Sequence, residues 1–285
     1  MQSNSITSIF KISFNHWRNH RSARMGAALS YYTIFSIVPL LMLLLIISRP
    51  FLANDYIQTA IVEQVSSLVN IKTADFIQSI LVGLSNIKFN FLMTITGIGI
   101  LILGTVGVFY ELKSSLDDLW DTRQPQTETK NWKYFFSSHF LSLSMIPILG
   151  FLLAVSVFFS LFLGFISGYS SVFNDTTLLF HIVSFIFSYF ILSCLFVFVF
   201  RFLPRKKLPW SDLIKGAMVT TILFIVGKVI ISFYLSKISG VSFFGAAEAL
   251  AILLLWIFYS VQIFLFGASF TYIYSITSNQ IEKED

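Results

Sequence analysis

From Ala249 to Phe270 the chain runs 22 residues without a charged side chain, and Glu248 stands immediately before that run. A bilayer whose hydrocarbon core is about 30 Å thick is crossed by roughly 20 apolar residues rising 1.5 Å each in a helix. Six stretches meet that requirement, at approximately 28–48, 91–110, 140–166, 178–202, 213–235 and 245–273. In hydrocarbon every backbone N–H and C=O must be satisfied internally, so stretches of this length can only be helices. The composition agrees. Only 12% of the 285 residues are charged, against about 25% in soluble domains, and the mean hydropathy is +0.80.

The expected architecture is an all-α integral membrane protein, a bundle of six transmembrane helices. A basic segment, 1–27, precedes a transmembrane domain over 28–275, and a tail follows at 276–285. The first apolar run begins after 27 residues and reaches Arg49-Pro50 without a small-residue cleavage site, so it is expected to stay in the mature protein. Cys194 is the one cysteine and forms no internal disulfide.

Orientation follows from the Lys and Arg flanks. The N-terminal segment, the connection between spans two and three, and the connection from span four into span five carry 13 basic residues. The opposite side has four, Arg49, Lys72, Lys88 and Lys237. Both termini are therefore expected on the cytoplasmic side. The net charge of +5 reads as this topology signal and not as a nucleic-acid surface, because the basic residues sit beside apolar runs.

Two connections are long. In 49–90, Ile57, Ile61, Val65 and Leu68 recur at helical spacing, as do Ile77, Ile80, Leu81 and Leu84. Two amphipathic helices are expected on or near the outer surface, capping the bundle or touching lipid. In 111–139, Leu112, Leu116, Leu119 and Trp120 form an apolar stripe opposite Lys113, Asp117 and Asp118, which suggests a short interfacial helix.

Polar residues inside the spans are the candidate site. Glu248, Tyr259, Gln262 and Ser269 fall within about 80° of one another on a helix. Tyr32 and Ser36 share a face of span one, and His181, Ser184 and Ser188 a face of span four. Gly97 and Gly104 line up toward Glu111 in span two, and Lys228 lies inside span five. These stripes either line a polar cavity or are helix–helix interfaces, where small residues and hydroxyls permit close approach. Lys228 lies about 12 Å below the outer end of its span, and Glu248 just inside the same side of span six. The two are expected to pair, lysine reaching outward along its stem, unless Glu248 simply reaches outer water.

Enzyme motifs are missing. His16, His20, His139 and His181 are scattered along the sequence, and no metal-ligand spacing, phosphate loop or nucleophile elbow occurs. No catalytic residue, metal site or cofactor is expected.

"GAALSYYTIFSIVPLL" (26–41), "GVFYELKSSLDDLWD" (107–121), "RFLPRKKLPWSDLIKGA" (201–217) and "FFGAAEALAILLLWIFYSVQIFLFGASFTY" (243–272) together resemble the YihY/BrkB family of bacterial inner-membrane proteins, over roughly residues 10–275. The resemblance implies six spans, a virulence-factor label linked to resistance to serum killing, and a part in moving envelope lipids or lipid-linked glycans. It also carries an older ribonuclease label, which the missing metal motif argues against. Two positions depart from the family pattern. Ser269 follows Gly267-Ala268 where the family usually has Glu, and Glu248 stands where a small residue is common. The function expected is transport or flipping of an amphipathic envelope substrate. The alternative is a structural scaffold of the cell envelope, with a membrane-associated ribonuclease a distant third. Membrane lipids are the expected partners, nucleic acid is not, and a homo-oligomer or envelope protein partners remain open.

Overall fold

The computed structural model describes residues 6–48, 58–59, 61–63, 65–66, 71–85, 91–122, 177–238 and 246–281. Among these residues all regular structure is helical. The helices are α1 (Ile6–Asn19), α2 (Ser22–Ser48), α3 (Ile71–Ser85), α4 (Phe91–Leu119), α5 (Thr177–Phe202), α6 (Trp210–Ile238) and α7 (Ala246–Ile281). Three stretches of the described residues are long and apolar enough to cross a membrane: Phe185–Phe202, Trp210–Tyr234 and Ala247–Ser278. The expected third span, 140–166, lies outside the described residues, as do His139, Ile57 and Leu68.

Helical structure runs past three of the limits expected from hydropathy. The basic N-terminal segment contains a complete helix, α1, and α2 begins at Ser22 instead of 28. The stripe through Leu112, Leu116 and Leu119 is not a separate interfacial helix; it forms the last turns of α4. The tail expected from 276 begins inside α7, which runs on to Ile281. The cause is common to the first two. An apolar count stops at the first charges, whereas a helix stops only where its end is capped.

The caps are visible. Arg21 has φ 54°, the left-handed conformation that breaks the chain between α1 and α2. The Ser22 hydroxyl donates to the Trp17 carbonyl at 2.7 Å. At the end of α4, Asp121 has φ 52°. The Thr122 N–H returns to the Asp117 carbonyl at 2.9 Å and the Asp121 N–H to that of Asp118 at 3.2 Å. That pair of bonds is the Schellman arrangement.

The chain divides into two compact units. One comprises residues 17–115 and 223–265, the other 1–16, 116–222 and 266–285. In the first, Leu41 of α2, Ile77 and Leu81 of α3, Ile231 of α6, and Ile252, Leu253 and Ile257 of α7 form the core. Ile61 and Val65 pack against it. The apolar spacing within 49–90 thus faces protein at Ile61, Val65, Ile77 and Leu81. In the second unit Leu116, Leu119, Trp120, Phe200 and Leu213 are fully buried.

Within the second unit α6 and α7 meet through two reciprocal pairs. A methyl group on Gly216 would run into Thr271, and one on Gly267 would run into Thr220. Each helix therefore offers a glycine and, four residues on, the threonine that fills its neighbour's gap. Small residues let the two backbones approach closely, where dispersion between them holds the pair, and each threonine hydroxyl is satisfied within its own helix. Thr220 donates to the Gly216 carbonyl and Thr271 to that of Gly267, each at 2.7 Å.

Candidate functional site

Among the described residues the richest polar constellation lies in the second unit, where the end of α4 meets α1, α7 and the turn between α5 and α6. The cap of α4 sets Asp121 outward, its side chain 56% exposed. One Asp121 carboxylate oxygen accepts the Tyr272 hydroxyl at 3.2 Å. Lys206 Nζ in turn donates to the Tyr272 oxygen at 3.3 Å and lies 4.6 Å from the centre of its ring. On the inner side Trp120 stacks on Tyr272 with ring centres 6.5 Å apart. Its indole N–H donates to the Ala268 carbonyl at 3.1 Å, which meets the requirement that a buried indole find an acceptor.

Asp117, one turn earlier, is buried. Its carboxylate accepts the backbone N–H of Arg205 at 2.8 Å, and Arg205 Nε lies 3.4 Å from its second oxygen. A carboxylate in the last turn of a helix opposes the macrodipole, so these donors offset an unfavourable position. The other cations of the 201–210 turn also have structural partners. Arg201 donates to the Leu208 carbonyl at 2.9 Å and lies 4.9 Å from the Trp210 ring centre. Lys207 Nζ bonds the carbonyls of Arg201, Phe202 and Pro204, a cation at the C-terminal end of α5 where the dipole favours one. These residues, read from sequence as topology signals, also hold the turn.

The N-terminal helix completes the cluster. Ile9 and Ser13 are buried on one face of α1, and Phe10 lies 4.9 Å from Phe270 and 6.1 Å from Phe266, centre to centre. The fully buried Ser269 hydroxyl donates to the Ser13 carbonyl at 3.0 Å. His16 Nδ1 lies 3.0 Å from the same hydroxyl, and His16 Nε2 lies 3.8 Å from an Asp121 oxygen. His16 is therefore not isolated, as its place in the sequence suggested. A serine, a histidine and a carboxylate in series resemble a hydrolytic triad, but Ser269 has no solvent exposure and its proton is committed to a backbone carbonyl. The arrangement can hold and pass protons; it offers substrate no accessible nucleophile.

The residues singled out from the sequence fall in different places. Ser269 belongs to this cluster, whereas Glu248, Tyr259 and Gln262 lie in the first unit. There Tyr259 packs on Gly227, and Tyr32 on Gly107. Gln262 lies against Gly26 and donates to the Ser22 carbonyl at 3.2 Å. Ser36 bonds back to the Tyr32 carbonyl at 2.8 Å within its own helix. Glu111, Lys228 and Glu248 are half-buried, Ser188 is exposed, and the side chains of His181 and Ser184 lie outside the described residues. Glu248 occupies the first turn of α7. His16, Asp117, Asp121, Arg205 and Tyr272 were not picked out as site residues. The available signal was the helical spacing of Ile9, Ser13 and His16, together with the acids ending the 107–121 motif.

Comparison with known proteins matches residues 13–285 to the family model described as "Virulence factor BrkB". Among similar proteins is a UPF0761 membrane protein of Vibrio vulnificus, 26% identical over 257 residues, covering 89% of this chain and 78% of that protein. Another, from Haemophilus influenzae, is 24% identical over 262 residues, covering 91% and 92%. A third, from Mannheimia succiniciproducens, is 22% identical over 270 residues, covering 92% and 88%. No solved structure matches.

Proposed function

Because this chain belongs to the BrkB virulence-factor family, we propose that it is a six-span, multi-pass protein of the bacterial inner membrane that transports or flips an amphipathic envelope substrate, a lipid or a lipid-linked glycan. Both termini lie in the cytoplasm, and the helices of 49–90 lie on the outer side. The observation that supports transport is Lys228. It is half-buried within an apolar stretch of α6, Trp210–Tyr234, long enough to cross the membrane. A charge at mid-span costs roughly 2.5–3.5 kcal/mol on insertion scales and by default marks a substrate or ion path. The test is lipid and glycolipid profiling of both leaflets after depletion, with re-expression of wild type or Lys228→Met at matched abundance. Transport requires a substrate that accumulates in the inner leaflet, cleared by wild type and not by Lys228→Met. Unchanged leaflets on depletion would sink it.

A scaffold is the second reading, and the glycine contacts favour it. Tyr32, Tyr259 and Gln262 each pack against a glycine of another helix, so much of the polar stripe is spent on helix packing. Leaflets unchanged on depletion, with loss of an envelope assembly, would be its signature.

A further inference from the structure

We propose that His16 is a proton-binding site that clamps α1 onto the end of α4 when charged and loosens it when neutral. Protons are limiting at this contact. The Ser269 hydroxyl has one, and it is given to the Ser13 carbonyl at 3.0 Å. The 3.0 Å contact between Ser269 Oγ and His16 Nδ1 then needs its proton from the imidazole, so Nδ1 is the protonated nitrogen. In the neutral ring this leaves Nε2 as a lone pair, and Nε2 is the nitrogen that lies 3.8 Å from the Asp121 carboxylate. Two acceptors face each other. A proton taken up at Nε2 turns that repulsion into a charge-assisted contact between α1 and the cap of α4.

The groups around His16 divide for and against. Asp121 is the facing acid. From α7, Tyr272 lies with its ring centre 5.5 Å away and already donates to Asp121. Lys206 opposes a second positive charge, but it acts from behind Tyr272, to which it is bonded. Asp117 is occupied by Arg205. Along its own chain segment His20 follows one helical turn later and brings a ring nitrogen within 4.8 Å of one of His16, so a charge on it would directly disfavour one on His16. Burial also opposes charging, since the imidazole side chain is only 13% exposed. The direct partner outweighs the indirect one, while the half-exposed carboxylate keeps the clamp weak enough to open.

Imidazole changes charge between about pH 5 and 8, so the clamp would work in the range a cell experiences. The sign is fixed. The contact is present at low pH and is lost as pH rises through the titration of His16. Its effect is local, because Ile9, Phe10 and Ser13 hold α1 by contacts that do not titrate.

The experiment uses the full-length protein in detergent. Imidazole nitrogen NMR, with the His16 signals assigned by their absence in His16→Gln, reads which nitrogen takes up the proton. Hydrogen exchange across 6–19, corrected for the intrinsic rate, reads the clamp. Nε2 should titrate while Nδ1 stays protonated, and α1 protection should fall about threefold from pH 5.5 to 8, the scale of one half-exposed ion pair. Asp121→Asn should move the titration to lower pH and abolish the pH dependence of protection, whereas His20→Gln should leave that dependence in place. Asparagine tolerates the left-handed backbone, so Asp121→Asn decides the matter even where His16→Gln fails to fold. A titrating Nδ1, protection independent of pH in the wild type, or pH dependence surviving in Asp121→Asn would each overturn the proposal.

Discussion

Asp117 accepts the backbone N–H of Arg205 at 2.8 Å across 88 residues of sequence. The bond ties the last turn of α4 to the turn before α6. Replacing Asp117 by Asn keeps an acceptor for that N–H and removes the charge, whereas Ala leaves the N–H without its acceptor. Asn should cost about 1 kcal/mol and Ala about 2–3 kcal/mol, read as thermal unfolding in detergent. The ion pair contributes little of this, because the Arg205 side chain is 59% exposed. Equal losses for the two variants would show that the backbone bond does not carry the effect.

The reciprocal pairs of α6 and α7 predict which glycines resist change. At Gly216 and Gly267 an added methyl would come within 2.7 Å of a threonine Cβ, an atom fixed to the backbone. Each Gly→Ala change should destabilise by about 1–3 kcal/mol through overpacking, despite alanine's better helix propensity. A methyl on Gly99, in α4, meets nothing within 4 Å. Gly99→Ala should be neutral or stabilising by up to about 1 kcal/mol. The same melting assay separates the cases, and a tolerated Gly267→Ala would contradict the close approach.

Arg21 predicts a gain. Its φ of 54° costs a residue with a Cβ roughly 1–2 kcal/mol, and its side chain is exposed. Arg21→Gly removes that strain at the expense of a more flexible unfolded chain. A net stabilisation of about 0.5–1 kcal/mol is expected. A loss on melting would mean that the arginine side chain contributes more than its backbone costs.

The distribution of basic residues predicts sidedness. In a Cys194→Ser background, cysteines at Asn4 and Lys206 should be shielded from an impermeant thiol reagent in intact cells, and one at Asn70 should react. The observation behind it is the excess of 13 over four in the flanks. Labelling of Asn4 from outside would reverse the orientation.

The helical class and long apolar helices were legible because solvent imposes them: a charge-free run such as 249–270 has one use in a bilayer. The ends were not, since capping depends on single residues. Arg21 and Asp121 take a left-handed conformation that glycine or asparagine would have announced. Polar side chains were legible by helical spacing, but not which element each one meets. A polar stripe through Glu248, Tyr259, Gln262 and Ser269 is sound helical geometry, yet Ser269 is matched to α1, an element absent from the expected fold. His16 was overlooked because its partner, Asp121, lies 105 residues away in sequence.

Glu248 carries the last prediction. It stands in the first turn of α7, where the unsatisfied N–H groups and the macrodipole favour a negative charge by about 0.3–1 kcal/mol. That position accounts for a carboxylate at the mouth of a charge-free run without help from Lys228. Glu248→Gln should therefore cost that amount alone, and Lys228→Met should change stability independently. In the double-mutant cycle, read by melting in detergent and by abundance in cells, the two effects should add to within about 0.5 kcal/mol. If the residues pair instead, Glu248→Gln strands a lysine inside the span, and the double variant is less damaged than either single one. Such coupling would replace the first-turn account with the ion pair and make Glu248 part of the path proposed around Lys228.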